Sequence, residues 1–303
     1  STKRYIMFDK SLRTMTFVPG YMQKFLEKAR SFRSDALILD LEDSVPETHK
    51  PEARKNIRQF LDQNAFCQQV FIRVNSIESG LLNADLRATF HRNTAGFMFS
   101  KVRDEKDIIF FDKLLGQMEQ EAGFPTPHFH ICVLIETGSA VLRAYDIASA
   151  SPRVVALAFG GEDYLTDLDG LHKEHATSLL VPRSLIVIAA TAAGVEAIDT
   201  PFLNIRDLEG FAREVALARE LGFSGQLILH PTQIEIANQA FTPSEQEITE
   251  ARRIIAAIEE SSRNGLGVAM LDGALIGPPM RTRASNVLEK IKTIKRTVQS
   301  WPQ

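Results

Sequence analysis

His130-Ile-Cys-Val-Leu-Ile-Glu-Thr-Gly138 opens as a short apolar run and ends abruptly in a carboxylate. Ile131, Val133, Leu134 and Ile135 read as a strand buried on both faces, and Thr137-Gly138 as the turn that stops it. A carboxylate placed there leaves the core at one defined edge of a sheet. The same event recurs at Val154-Val-Ala-Leu-Ala-Phe-Gly-Gly-Glu-Asp163. Glu136 and Asp163, delivered to one edge, form an oxygen-ligand pair suited to a hard cation such as Mg²⁺. The competing assignment is that each acid caps the helix that follows. Glu162 then ligates or, more simply, orients a ligand.

Outward from this stretch the pattern repeats. Apolar runs at 14–20, 36–43, 69–75, 95–101, 130–136, 154–163, 195–199 and 226–230 alternate with segments of helical spacing. Eight such units in about 250 residues predict a (β/α)₈ barrel, with its site at the carboxyl ends of the strands. An open, doubly wound sheet fits less well, because the first turn carries Gly20 alone and no glycine-rich phosphate loop. The barrel is expected over 1–241. A C-terminal extension over 242–303 is expected to supply helices and a lid, the break at Asn264-Gly-Leu-Gly267 preceding a tightly turned stretch to Pro279. The other helices expected include 139–148 as one segment and an apolar one beginning at Pro182.

The polar residues at the strand ends are the chemical candidates. Arg73 ends a buried strand and either clamps a carboxylate or oxyanion in bidentate fashion or pairs with Asp40, Glu42 or Asp43. Lys101 is a site cation or a salt-bridge partner. Alternation points Asp40 and Glu42 the same way, with Asp43 in the loop, so that one of them positions Arg73 or a metal-bound water. His230 is an acid–base group or a structural hydrogen-bond partner. No Ser-His-Asp set, cysteine nucleophile or Cys/His zinc spacing is present.

Charge and composition exclude other classes. Net charge is −3 and no long basic run suggests nucleic acid. The two cysteines, Cys67 and Cys132, make no disulfide framework, so a reducing, cytoplasmic setting is expected. The longest uncharged apolar stretch, Ser184 to Val195, is too short to cross a bilayer.

Seven segments in order carry a family resemblance: Arg13…Phe17-Val-Pro-Gly20, Leu39-Asp-Leu-Glu-Asp43, Ile72-Arg-Val-Asn75, Lys101-Val102, Ile135-Glu-Thr137, Phe159-Gly-Gly-Glu-Asp163…Asp167-Leu168 and His230-Pro-Thr-Gln-Ile234. From Arg13 to about Ile234 the chain resembles the HpcH/HpaI aldolase and citrate lyase β-subunit superfamily, especially its CitE-like, citramalyl-CoA and malyl-CoA lyase branches. The resemblance implies a TIM barrel in a trimer or a multiple of it, with Mg²⁺ on Glu136 and Asp163. It implies that Arg73 contacts the substrate's oxygens, and with the strand-end reading above Arg73, Lys101, Asp40 and Glu42 are expected as the catalytic group. Arg13, Pro19, Gly20, Gly161 and Glu162, with Arg73, are then expected to contact substrate or coenzyme A. The implied chemistry joins or cleaves an acyl-CoA α-carbon and a keto-acid carbonyl carbon through an enolate. One departure stands out. The family's CoA lyases carry an acid/base Asp in the tail where Gly277 stands here, and Asp272, five residues away, is not an equivalent.

Overall fold

The computed structural model describes residues 8–171, 177–299 and 301. Eight parallel strands close into a barrel in chain order, each pairing with the next and the eighth with the first. They are β1 Thr14–Pro19, β2 Ala36–Asp40, β3 Gln69–Val74, β4 Gly96–Phe99, β5 His130–Ile135, β6 Val154–Phe159, β7 Glu196–Asp199 and β8 Gly225–Ile228. The helices around them are α1 Gln23–Ala29, α2 Lys50–Gln63, α3 Leu82–Thr89, α4 Glu105–Ala122, α5 Gly138–Leu142, α6 Ala144–Ser149, α7 Gly161–Asp167, α8 Thr177–Ala193, α9 Leu208–Leu221 and α10 Ile234–Phe241. The (β/α)₈ architecture expected from the alternation is the one observed.

Strand periodicity divides the apolar residues into two layers. In β5, Cys132 and Leu134 join Met15, Ala36, Ile38, Phe71, Met98, Ala156 and Ala158 in the barrel lumen. Ile131, Val133 and Ile135 face outward and pack with the helices. Large and small side chains share the lumen, so Phe71 and Met98 fill the space that the alanines leave. Continuing each strand by the same period of two places Asp40, Arg73, Ser100, Glu136 and Gly160 on the lumen side of the carboxyl-terminal mouth. Buried ion pairs brace the wall outside: Arg153 with Glu119 (2.6 Å), and Arg183 with Asp199 (2.6 Å).

Two helical expectations shift. The segment expected as one helix over 139–148 is two, α5 and α6, with Arg143 between them outside helical geometry (φ −108°, ψ 11°). Pro182 lies inside α8 instead of opening it. Its missing N–H interrupts the ladder of a helix otherwise held by apolar packing of Leu179, Ile186 and Ala190 against the barrel.

Beyond α10 the chain forms α11 Glu245–Arg263, a hairpin of β9 Ala269–Leu271 and β10 Ala274–Ile276, and α12 Pro278–Val298. A Ser244–Glu247 capping box starts α11. The hairpin turns on Asp272-Gly273, both with positive φ (51° and 80°), as an Asp-Gly two-residue turn requires. Ile258, Ala269 and Ile276 bind the hairpin to α11 in a small core of their own. The domain ranges expected from sequence also take in residues 1–7, 172–176, 300, 302 and 303, which lie outside the described residues. No helix among the described residues is long and apolar enough to cross a membrane.

Candidate active site

The mouth of the barrel gathers acids around two cations. Arg73 leaves β3 into the lumen, 9% exposed, and its guanidinium grips Asp40 in bidentate fashion (Nε–Oδ1 2.7 Å, Nη2–Oδ2 2.6 Å). Its remaining nitrogen, Nη1, lies 3.2 Å from Glu42 Oε2 and 3.4 Å from Asp43 Oδ2. The ring of Phe17 lies under the guanidinium, 4.8 Å from Cζ, and fixes its plane. Burial opposes ionisation of Asp40. The charge and hydrogen bonds of Arg73, with Ser44 and the Glu42 N–H, nevertheless hold its carboxyl below the ordinary range. Asp40 thus positions Arg73 and is itself fully occupied.

Glu42 is placed differently. Ser100 Oγ donates to Oε1 at 2.7 Å, and Lys101 Nζ stands 3.3 Å from the same oxygen. Oε2 accepts no hydrogen bond, although it is buried. Burial pushes the Glu42 carboxyl up, against the pull of Arg73 and Ser100. Lys101 is half exposed and held above its usual range chiefly by Glu42. Its φ of 55° turns the chain sharply at the end of β4, and this turn aims its backbone N–H at Glu136 Oε2 (2.8 Å).

Glu136 is 4% exposed. Burial pushes its carboxyl up to about 7, and the charges of Glu42 and Asp163 add to the rise. Gly160 makes the room for it: a methyl there would lie 2.5 Å from Glu136 Cγ and 3.1 Å from Oε1. Asp163 stands in the first turn of α7, two residues past Gly161, not on the strand itself. Burial first, then the charge of Asp43, raises its carboxyl. Gly161 is buried and donates its N–H to Thr200 Oγ1 at 2.9 Å, which anchors the start of α7. Glu162 follows in the same turn.

These groups suit a divalent ion. Among the described residues, five carboxylates, Asp40, Glu42, Asp43, Glu136 and Asp163, share the mouth with Arg73 and Lys101, and burial first, then repulsion among the acids, raises Glu136 and Asp163. Among the described residues no three or more His, Cys, Asp or Glu form a closed metal cage. A closed cage suits Zn²⁺ or Ca²⁺, whereas Mg²⁺ is commonly held by one or two carboxylates with water and substrate completing its shell.

Other expected site residues fall elsewhere. Pro19 ends β1 at this mouth, in register with Asp40. Gly20 is a packing glycine: a Cβ there would meet Ile57 Cδ1 at 2.6 Å and the Asp40 carbonyl at 2.7 Å. Arg13 precedes β1, at the opposite end of the barrel. Its guanidinium is bidentate on Asp35 (2.9 and 2.7 Å) and donates to Thr242 Oγ1 (2.8 Å). Arg13 is therefore not brought to the mouth, because the residue before a strand lies at the amino end. His230 caps the turn at Pro231–Gln233 and completes a capping box with Gln233. Asp272 is paired with Arg253 (2.7 Å), while Gly277 caps α12 with space for a side chain, a Cβ meeting Val268 Cγ1 at 3.7 Å.

Sequence reasoning missed the frame behind the acids. Lys50, 7% exposed, donates to the carbonyls of Leu41 (2.9 Å) and Glu42 (3.1 Å) and to Asn75 Oδ1 (2.7 Å). Asn75 in turn donates to Asp85 Oδ2 (2.6 Å), which is fully buried. A lysine opening an otherwise ordinary helix gives no hint of this. Ser100, between an apolar strand and Lys101, carried the parity signal that places it in the mouth.

Comparison with known proteins fits this arrangement. The chain is 34% identical to the citrate lyase subunit beta of Leuconostoc mesenteroides subsp. cremoris, over 93% of each chain. It is 29% identical to the mitochondrial citramalyl-CoA lyase of Rattus norvegicus, over 93% of this chain and 87% of that one. A crystal structure of CitE from Mycobacterium tuberculosis with magnesium, acetoacetate and coenzyme A superposes with a TM-score of 0.75 at 27% identity, covering 95% of this chain and 100% of that one. The family model described as HpcH/HpaI aldolase/citrate lyase matches residues 13–231, and the chain belongs to that family.

Proposed function

We propose that the chain is a Mg²⁺-dependent carbon–carbon lyase that cleaves a 3-hydroxyacyl-CoA thioester to acetyl-CoA and a 2-keto acid. Citramalyl-CoA, yielding pyruvate, is the first substrate to test, ahead of malyl-CoA and citryl thioesters. The observation that carries this reading is Glu136: a buried carboxyl raised to about 7, in a mouth where acids outnumber cations. Glu136 and Asp163 would hold the ion, which polarises the oxygens of the keto-acid half. Arg73, its plane set by Asp40 and Phe17, presents Nη1 to the negative charge that develops on oxygen as the carbon–carbon bond breaks. Glu42, whose raised carboxyl has one oxygen without a hydrogen bond, is the group placed to accept and return a proton. Lys101 balances Glu42 and holds Glu136 through its backbone N–H.

An assembly of several copies accords with the surface. Leu142, Val181, Leu185 and Ile188 form an exposed apolar face on α5 and α8, and Leu266, Val268, Met270 and Leu275 form another on the tail. A trimer or a multiple of it would cover both and set one copy's tail against its neighbour.

A coupled assay across the three thioesters, with and without Mg²⁺, tests the reading. Mg²⁺-dependent appearance of acetyl-CoA together with the keto acid supports it. Release of free CoA with the hydroxy acid intact would show thioester hydrolysis instead. A second reading, a metal- and CoA-binding subunit with weakened catalysis, draws on Gly277. If Gly277→Asp, for which there is space, creates turnover where the unaltered chain has none, that second reading holds.

A further inference from the structure

A large cleft lies away from the mouth. A space of about 1180 Å³ opens at the other end of the barrel, between α12 and the segments that enter β1, β7 and β8. Leu12, Glu196, Ala197 and Ser224 form its barrel side, and Asn286, Lys290 and Thr293 its α12 side. α12 is tied to this end by a hydrogen bond from the Ser11 N–H to Thr297 Oγ1 (2.9 Å), and beyond it the indole of Trp301 lies against Arg13 (5.6 Å). Residues of α6 and α8 complete its wall.

Two lysines point the chemistry. Lys10 and Lys290 both line the cleft, and neither has a hydrogen bond or ion pair among the described residues. The nearby acid Glu289 is already engaged by Lys292 (2.6 Å). Lys290 is half-buried in the cleft wall. Burial pushes its ammonium down; Glu196 and Glu247 pull it up, while Arg219 and Arg13 push it down. Of the charged groups lining the cleft, Lys10 and Lys290 therefore stand against Glu196, with Glu289 held by Lys292, and an anion in the cleft would balance the excess. The bland alternative is that the lysine stems cover apolar surface while their heads stay in water. The cleft argues against it: it has room for a ligand, and hydroxyls of Thr191 and Ser224 and the ring of Tyr145 share its lining.

We propose that this amino-end cleft binds a small anionic metabolite, whose phosphate or clustered carboxylate groups lie between Lys10 and Lys290 and whose remaining body lies against Tyr145. Occupancy would clamp α12 to the barrel. The site is separate from the mouth, and nothing in it depends on the lyase reading.

Calorimetric titration of the full chain without Mg²⁺ tests this with three probes: inorganic pyrophosphate, tricarballylate and AMP. The first two distinguish phosphate from carboxylate recognition, and AMP adds a ring for Tyr145. At least one probe is expected to bind. Its affinity should fall about tenfold or more in Lys290→Met and in Lys10→Met, as loss of a charge-assisted contact requires. It should persist in Lys290→Arg and in Arg73→Met, which disables only the mouth. Unliganded melting temperatures of the variants, unchanged from the parent, certify folding. Failure of all three probes to bind the unaltered chain overturns the proposal. So does binding that disappears in Arg73→Met and survives both lysine-to-methionine changes.

Discussion

The two ends of the barrel carry the same device with opposite outcomes. At the amino end Arg13 grips Asp35, and at the carboxyl end Arg73 grips Asp40, each in bidentate geometry and each nearly buried. At the amino end the third guanidinium nitrogen is closed off by a neutral hydroxyl, that of Thr242. At the carboxyl end it faces Glu42 and Asp43 with no hydroxyl to saturate it. The first pair is a fastener. The second is part of a site, because the surplus acid around its third nitrogen leaves work for an ion and a substrate. A bidentate Arg–Asp pair alone says nothing about function; what surrounds its free edge decides.

Truncating the two arginines should break the comparison most sharply. Arg13→Ala strands Asp35 in the core and is expected to cost about 3–5 kcal/mol of stability, read as a large fall in melting temperature with turnover per folded molecule preserved. Arg73→Ala should lower turnover by about 10²–10³-fold, measured in the acetyl-CoA assay. Equal loss of activity in both would erase the distinction.

Glu136→Gln sharpens it next. Mg²⁺-dependent turnover should vanish. The carboxyl has a folded value of about 7 against an ordinary 4.5, so in metal-free protein its stabilising contribution is complete below 4.5 and lost as pH rises through 7. Melting at pH 8 without metal should therefore be no lower in the variant than in the parent. The same value sets metal binding: affinity for Mg²⁺ should be flat above pH 7 and fall about tenfold per unit below it, since the ligand must be ionised. Calorimetry across pH checks this, and a pH-independent affinity would exclude Glu136 as a ligand.

The smallest effect is expected at Lys50→Met. Three acceptors lose their donor, at about 1–3 kcal/mol. Turnover should drop about tenfold because Glu42 and Asp43 lose their frame. Lys50→Arg should restore part of it.

Much of this was legible beforehand, and the reason is geometric. A parallel strand buried on both faces reads as an apolar run, so the polar residue that ends it declares the site edge. Arg73, Glu136 and Lys101 all announced themselves in that way. Arg13 did not, because a motif shared with a family marks a residue without telling which end of the strand it occupies. Asp163 was legible as an acid near a strand end but not as a helix residue, since Gly160-Gly161 hides where the strand stops. Lys50 and Asp85 were invisible because their roles come from partners distant in sequence.

Gly160 leaves a handle on the chemistry that no charged residue offers. The hollow that admits Glu136 exists because one residue brings nothing into it. Adding a single methyl there would nudge the carboxylate aside while leaving its identity and the other acids intact. Distance, in this mouth, is adjustable apart from composition.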